Sequence, residues 1–300
     1  MSESKKYVWH IGSQPRYARH YGHFIRDVCM GLHYVMPHDK EFDCIYILQR
    51  GGRHMNKTFL DFLNKIYDNK IKYVKRAKSV RGIERLTLTG CLMRDNVFGG
   101  NCSKHTKLVA NDLRDLSLKK CNIKTKIKNQ ILFCPRKQHK SVRNLTNYDG
   151  LLTKIKNETN CEIIIWYNED HTIEEQMQAF AESKVIIFAS GTDSCNVLWC
   201  NENNRVIEII PNEHYSGQCG AYHNDNIESY LKEKYKKSKW TYTPIRGNNK
   251  RDWHFIKLPA ENTIILEREH KDGINGKAYE FYLSEYHENK IINLVKEVIV

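Results

Sequence analysis

Three hundred residues, 40% apolar and 28% charged, with six prolines and sixteen glycines, suffice for two mid-sized domains with real cores and exclude a disordered polymer. No run reaches the ~18–20 uninterrupted apolar residues of a membrane span, so none is expected. The formal charge of +13 would attract nucleic acid, membrane headgroups or a small anion such as a diphosphate, and charge alone does not choose among them.

The chain opens with Met1 to Lys6 and runs straight into Tyr7-Val-Trp-His-Ile, too short and too polar onward for the core of a signal peptide. Ten cysteines without a Cys-x-x-Cys pair read as reduced, buried thiols and not as a zinc site or disulfide framework. Both features lead to the expectation of a cytoplasmic protein. The lysine runs over 72–78, 119–128 and 232–239 are read mainly as solvated faces.

In chain order, β-branched and aromatic runs predict strands at 7–11, 44–48 and 73–75, and helical periodicity predicts helices at 20–35, 56–67 and 103–116. The lysine-rich stretch 119–129 is the expected hinge. Beyond it, Ile131-Leu-Phe-Cys predicts a strand, 147–156 a helix, and Ile163-Ile-Ile-Trp a buried strand without polar alternation, as in a parallel sheet. Thr172-Ile-Glu-Glu175 has the capping-box form, and Ile173, Met177 and Phe180 follow on one helical face. A strand at 185–188, a helix at 196–200 and a strand at 206–210, stopped by Pro211, complete a repeated β-α-β order. That order predicts an α/β fold with a doubly wound parallel sheet. The last segment, 279–300, reads as a helix with Tyr282, Tyr286, Ile291, Leu294, Val295 and Val298 on its apolar stripe.

Ligands of such a sheet sit beyond the carboxyl ends of its strands. Ser190, Gly191, Thr192, Asp193 and Ser194 fall there, where Gly191 allows close backbone approach and the free N–H groups of the next helix can hold a phosphate. Asp193 opposes an anion unless it turns away to cap the helix, and a plain strand-helix turn explains the loop equally well. Glu208 is out of place inside Val-Ile-Glu-Ile-Ile, since burying an unpartnered carboxylate costs several kcal/mol, and it is therefore expected at the strand's end. Ribose hydroxyls could satisfy it there, as could an edge position or a salt bridge. His23 and Asp27, four apart, project from one helix face, although Asp27 could equally pair with Arg26 or Arg19.

Taken together, Glu175-Gln176, Phe180, Ala181, Val185-Ile-Ile, Gly191, Asn196 and Val206-Ile-Glu208-Ile-Ile-Pro211 resemble the core of glycosyltransferase family 61, which includes plant xylosyltransferases and animal O-linked GlcNAc transferases. Ile131-Leu-Phe-Cys-Pro-Arg136, followed by Arg143 and Asn147, is similar to that family's Arg-containing strand-loop-helix, and Tyr21-Gly-His23-Phe-Ile-Arg-Asp27 to its N-terminal His/Asp segment. The chain departs from the family where a His-Gly-Ala-Gly-type loop is usual, having Ser190-Gly-Thr-Asp193 instead.

The resemblance implies a GT-B-like architecture of two Rossmann-like doubly wound domains. An acceptor-side domain would span 1–120 and a nucleotide-sugar domain 129–275, with a helix over 276–300 crossing back to the first domain or packing in the core. It also implies an inverting transfer from a nucleotide-diphosphate donor such as UDP-xylose or UDP-GlcNAc to a glycan or protein hydroxyl, with no cofactor and no obligatory metal. The chain has no Asp-x-Asp motif, and Arg136, Lys137 and Arg143 could neutralise the diphosphate instead. The expected donor-binding residues are Arg136, Arg143, Ser190 to Ser194, Asn196 and Glu208. The expected base is Asp27, or His23 if the two roles are exchanged. The charge keeps a nucleic-acid-binding or nucleic-acid-modifying protein as the alternative, and the altered 190–193 loop keeps an inactive binding module. A cytoplasmic member would fit a large DNA virus or a microbe that glycosylates in the cytosol.

Overall fold

The computed structural model describes residues 5–11, 20–37, 41–48, 55–86, 103–136, 143–189, 192–211, 252–258, 262–269 and 275–299. Among these residues the chain divides into two compact units, the first ending at Ile123 and the second beginning at Lys124. Each is a mixed α/β unit built on a parallel sheet. Among the described residues, no helix is long and apolar enough to cross a membrane.

In the first unit, β1 (Lys6–His10) is followed by a helix over 21–35, α1, which runs as Tyr21–His23, a π-helical stretch Phe24–Cys29, and Met30–Val35. The widened stretch closes with a bond from the Met30 amide to the Ile25 carbonyl. Strand β2 (Cys44–Leu48) leads to α2 (Lys57–Ile66), capped by Asn56, whose side chain accepts from the Thr58 amide at 3.0 Å. Asp68 and Asn69 then take left-handed φ of 53° and 62°, and the Asn64 side chain accepts from the Ile71 amide at 2.9 Å. This turn feeds β3 (Ile71–Val74). Strand β4 (Glu84–Leu86) and α3 (Ser103–Lys120) follow. All four strands pair in parallel in the order β3-β2-β1-β4.

Packing explains why α1 settles on β1. Phe24 stacks on Phe59 of α2 at 4.2 Å, and Phe24, Ile25, Val28, Cys29 and Leu32 are all buried. Gly31 faces the buried Trp9 indole so closely that a Cβ there would lie 2.9 Å from two ring carbons.

The second unit begins with β5 (Lys128–Cys134), β6 (Arg143–Thr146) and α4 (Tyr148–Thr159). Next come β7 (Glu162–Ile165), α5 (Ile173–Glu182), β8 (Ser183–Ala189), a 3-10 helix (Thr192–Trp199) and β9 (Arg205–Pro211). After these lie β10 (Asp252–Leu258), β11 (Thr263–Glu269), β12 (Asn275–Tyr282) and α6 (Glu285–Lys296). Five strands form a fully parallel sheet, β10-β9-β8-β5-β7. A smaller sheet, β11-β12-β6, pairs β11 antiparallel and β6 parallel to β12.

One face of the large sheet, with Ile131, Phe133, Val185, Ile187, Ile207 and Ile256, is buried against Leu151 and Ile155 of α4 and Ile291, Ile292 and Val295 of α6. The alternate residues turn to the opposite face, where α5 contacts β5 and β8 and the 3-10 helix contacts β8. Arg205 of β9 pairs with Asp252 of β10 and donates to the Leu294 carbonyl at 2.6 Å and to Glu297 at 2.5 Å, fixing α6 to this sheet.

The structure departs from the sequence expectations at two places and meets one of two readings at a third. Residues 279–282 are strand and not helix, because Tyr279 to Tyr282 pair with Arg143 to Thr146, and α6 starts only after Ser284. The apolar stripe of α6 is spent in the core of the second unit, the second of the two readings given for it. The segment after β8 is a 3-10 helix, three residues per turn, longer than the predicted 196–200.

Replacing Gly31 by alanine should destabilise the protein by about 1–3 kcal/mol, because the clash with Trp9 outweighs the gain of up to ~1 kcal/mol that alanine brings to a helix interior. Urea unfolding of the two proteins measures the sign, and an unchanged or raised midpoint would contradict the close Trp9–α1 packing.

Candidate functional site

In a parallel sheet the carboxyl ends of all strands share one edge, and a crevice opens where neighbouring strands send their connections to opposite faces. Numbered by their order in the chain, the strands of the second unit run 2-1-3-4-5, so the reversal falls between β5 and β8. Cys134 of β5 lies in register with Phe188 of β8, which lies in register with Glu208 of β9. Two residues beyond Cys134 comes Arg136, half-buried, and directly beyond Ala189 comes the 190–194 segment. The ends of β5 and β8 therefore lie side by side at this edge.

The expected donor residues fall as follows. Ser190, Gly191 and Lys137 lie outside the described residues, as do the side chains of Thr192, Asp193 and Ser194, whose backbone opens the 3-10 helix. Arg143 is the first residue of β6, in register with Tyr279, and its side chain lies outside the described residues. Asn196 is fully buried and donates from its amide to the Gln176 Oε1 at 2.8 Å, so this part of the side chain serves the protein. Glu208 is 0% exposed and lies three residues inside the end of β9, between Phe188 and Phe255. It lies inside β9, between two neighbouring strands, and not at the strand's end or on an edge strand as expected from sequence.

The loop after β7 was missed as a site element, although Trp166-Tyr167 directly after an apolar run was the available signal. The Trp166 amide donates to the Phe133 carbonyl at 2.8 Å, extending the β5–β7 ladder to the same edge. Its indole stacks on His171 with centroids 3.5 Å apart, and its N–H donates to Asn168 Oδ1 at 2.8 Å. The Tyr167 hydroxyl meets that of Tyr148, the first residue of α4, at 3.4 Å. Burial, and then this contact, push the Tyr148 phenol up to about 12, so it stays neutral at physiological pH and is no base.

The start of α5 ties this loop down. Thr172 and Glu175 form a complete capping box, and the bonds from Thr172 hold the Glu175 carboxyl below its ordinary value. The Gln176 Nε2 donates to the carbonyls of Asn168 at 2.9 Å and His171 at 3.1 Å.

The sheet order of the first unit places its own reversal between β1 and β4. The first segment of α1 follows β1, so His20 and His23, whose rings meet edge-to-face at 5.2 Å, belong to the carboxyl-end side of that sheet. Asp27 sits in the π-helical stretch about one turn later, and its side chain lies outside the described residues. By contrast, a cavity of about 560 Å³ lined by Lys128, Lys184, Glu202 and Asp252 lies at the amino ends of the second unit's strands, away from either reversal.

Two units, each built on a parallel sheet with a strand-order reversal, define an α/β protein. The chain belongs to the Glycosyltransferase 61 family, whose match covers residues 21–207, more than half of the sequence. It is a glycosyltransferase, with a sugar donor and an acceptor as substrates. The match begins at the first residue of α1, after β1, includes both strands of the second unit's reversal, β5 and β8, and ends in β9 one residue before Glu208. No curated relative matches the chain.

Proposed function

We propose that this glycosyltransferase is an inverting, GT-B-type enzyme that takes a sugar from a UDP-sugar, such as UDP-xylose or UDP-GlcNAc, and passes it to a hydroxyl of a glycan or protein. The observation that carries the donor assignment is the β5/β8 reversal, beyond whose adjacent strand ends Arg136 and the 190–194 segment follow in the sequence. Arginines suit a diphosphate because their charge-assisted, forked hydrogen bonds match its oxygens. Arg143, seven residues on, adds a second cation, and the N–H groups opening the 3-10 helix add dipoles. Asn196, through its bond to Gln176, helps hold the segment after β8 in place.

In the reaction, the acceptor oxygen attacks the anomeric carbon as the bond from that carbon to the diphosphate oxygen breaks. The bonding electrons leave with the nucleotide, whose added charge the arginines stabilise. The acceptor proton passes to Asp27, and His23 orients that carboxylate. No metal or other cofactor is required in this reading, because the cations facing the diphosphate are side chains. The test of the donor assignment is thermal unfolding with and without uridine diphosphate. Specific protection supports it, whereas salt-steep RNA binding without nucleotide protection would overturn it.

Arg136→Ala and Arg143→Ala should each weaken uridine diphosphate binding by roughly 1.5–3 kcal/mol, the worth of a charged hydrogen bond, in folded proteins. Unchanged affinity in either variant removes that residue from the donor site.

Asp27→Asn should lower turnover by about a hundredfold or more while leaving nucleotide affinity unchanged, with a milder loss in His23→Ala. The reverse ranking in transfer rates would make His23 the base, and a parallel fall in nucleotide binding would give Asp27 a structural role.

Activity should survive EDTA. Complete loss restored by manganese would contradict a metal-free transfer.

A further inference from the structure

Gln176 is 5% exposed and engages both ends of its amide. Its oxygen accepts from Asn196, in the 3-10 helix after β8, while its nitrogen donates to the Asn168 and His171 carbonyls, in the loop after β7. Because carbonyls only accept, this orientation of the amide is fixed; the flipped amide would set its oxygen against two others. The sheet order β8-β5-β7 places these two connections on either side of the end of β5, from which Arg136 issues. One buried side chain therefore joins the two loops that flank the crevice. The capping box immediately before it anchors Gln176 itself.

We propose that Gln176 is a positioning residue for the nucleotide-sugar donor: by locking the loop after β7 to the segment after β8, it presents both to the donor as one preorganised surface. This rests on the donor assignment made above. A bound nucleotide then meets loops whose ordering cost has been met in folding, so loss of the lock should appear as weaker donor binding and not as slower chemistry.

Two substitutions separate this role from simple packing. Gln176→Met keeps a similar volume and removes all three bonds. Gln176→Glu can still accept from Asn196 as a carboxylate but cannot donate to the two carbonyls, and when protonated it regains one donor. Burial raises such a carboxyl, so recovery should begin within the range from about pH 8 down to pH 5.

The experiment measures donor KM, kcat at saturating donor and uridine diphosphate affinity across that range, at temperatures where circular dichroism shows each protein folded. About tenfold or greater loss of donor and nucleotide affinity is expected in both variants at the alkaline end, with kcat nearly unchanged. Affinity should recover on acidification in Gln176→Glu alone. Wild-type donor KM in a folded but less thermostable variant, or loss of kcat at unchanged KM, would overturn the proposal. If Gln176→Met does not fold, Asn196→Ala, which removes the donor to the Gln176 oxygen, must show the same affinity loss, and normal donor KM there is equally fatal. A wild-type protein that uridine diphosphate does not protect would overturn the donor assignment and this role with it, whereas protection with unaltered variants overturns this role alone.

Discussion

The parallel pairing of β5 with β8 is the constraint on which the proposed donor edge depends. These strands are neighbours in space, yet the helix following β5 packs on one face of the sheet while the 3-10 helix after β8 lies on the other. Their connections must diverge, and the space between them cannot be filled by either helix. Chain order alone thus creates a crevice at Cys134 and Phe188, before any side chain is specified for binding. The apolar rows of Ile131, Phe133, Val185 and Ile187 secure that pairing by burying one face completely.

A crevice of this kind is useful only if its rims are held. The rim after β7 hangs on a single edge strand, and its regular pairing with β5 ends at Ile165. The Trp166 amide extends the ladder by one bond, the Trp166–His171 stack and the Asn168 side chain close the loop on itself, and Gln176 ties it to the segment after β8. Such polar ties cost free energy if left unmade inside the protein, so together they favour one arrangement of the loop over many. The family match spans this region, from β5 into β9.

What the sequence disclosed was mostly local. The capping box at Thr172, the cap at Asn56 and the central strands of the second unit are written in a few adjacent residues and could be read there. Strand β6 could not, because its pairing partner, β12, lies more than a hundred residues away, and β12 itself carries aromatics whose spacing also fits a helix. Glu208 was singled out correctly as anomalous, but its depth is set by β8 and β10 on either side, which sequence spacing does not reveal. Gln176 was visible only as part of a family pattern; its bonds go to residues on two other elements.

The first unit shows how packing can hold an unusual backbone at the place of the proposed base. A π-helical stretch gives up regular helical bonding and is rare unless its surroundings enforce it. Here Phe24, Ile25, Val28 and Cys29 are fully buried, Phe24 is stacked on Phe59, and Gly31 lets the following turn lie against Trp9. The apolar side of α1 is thus fixed on both sides of the widening, and Asp27 is carried by that same widened turn, about one turn after His23. A backbone held this firmly fixes where residue 27 issues from the helix, which is what the proposed role of general base requires if proton transfer is to keep pace with bond formation at the sugar carbon.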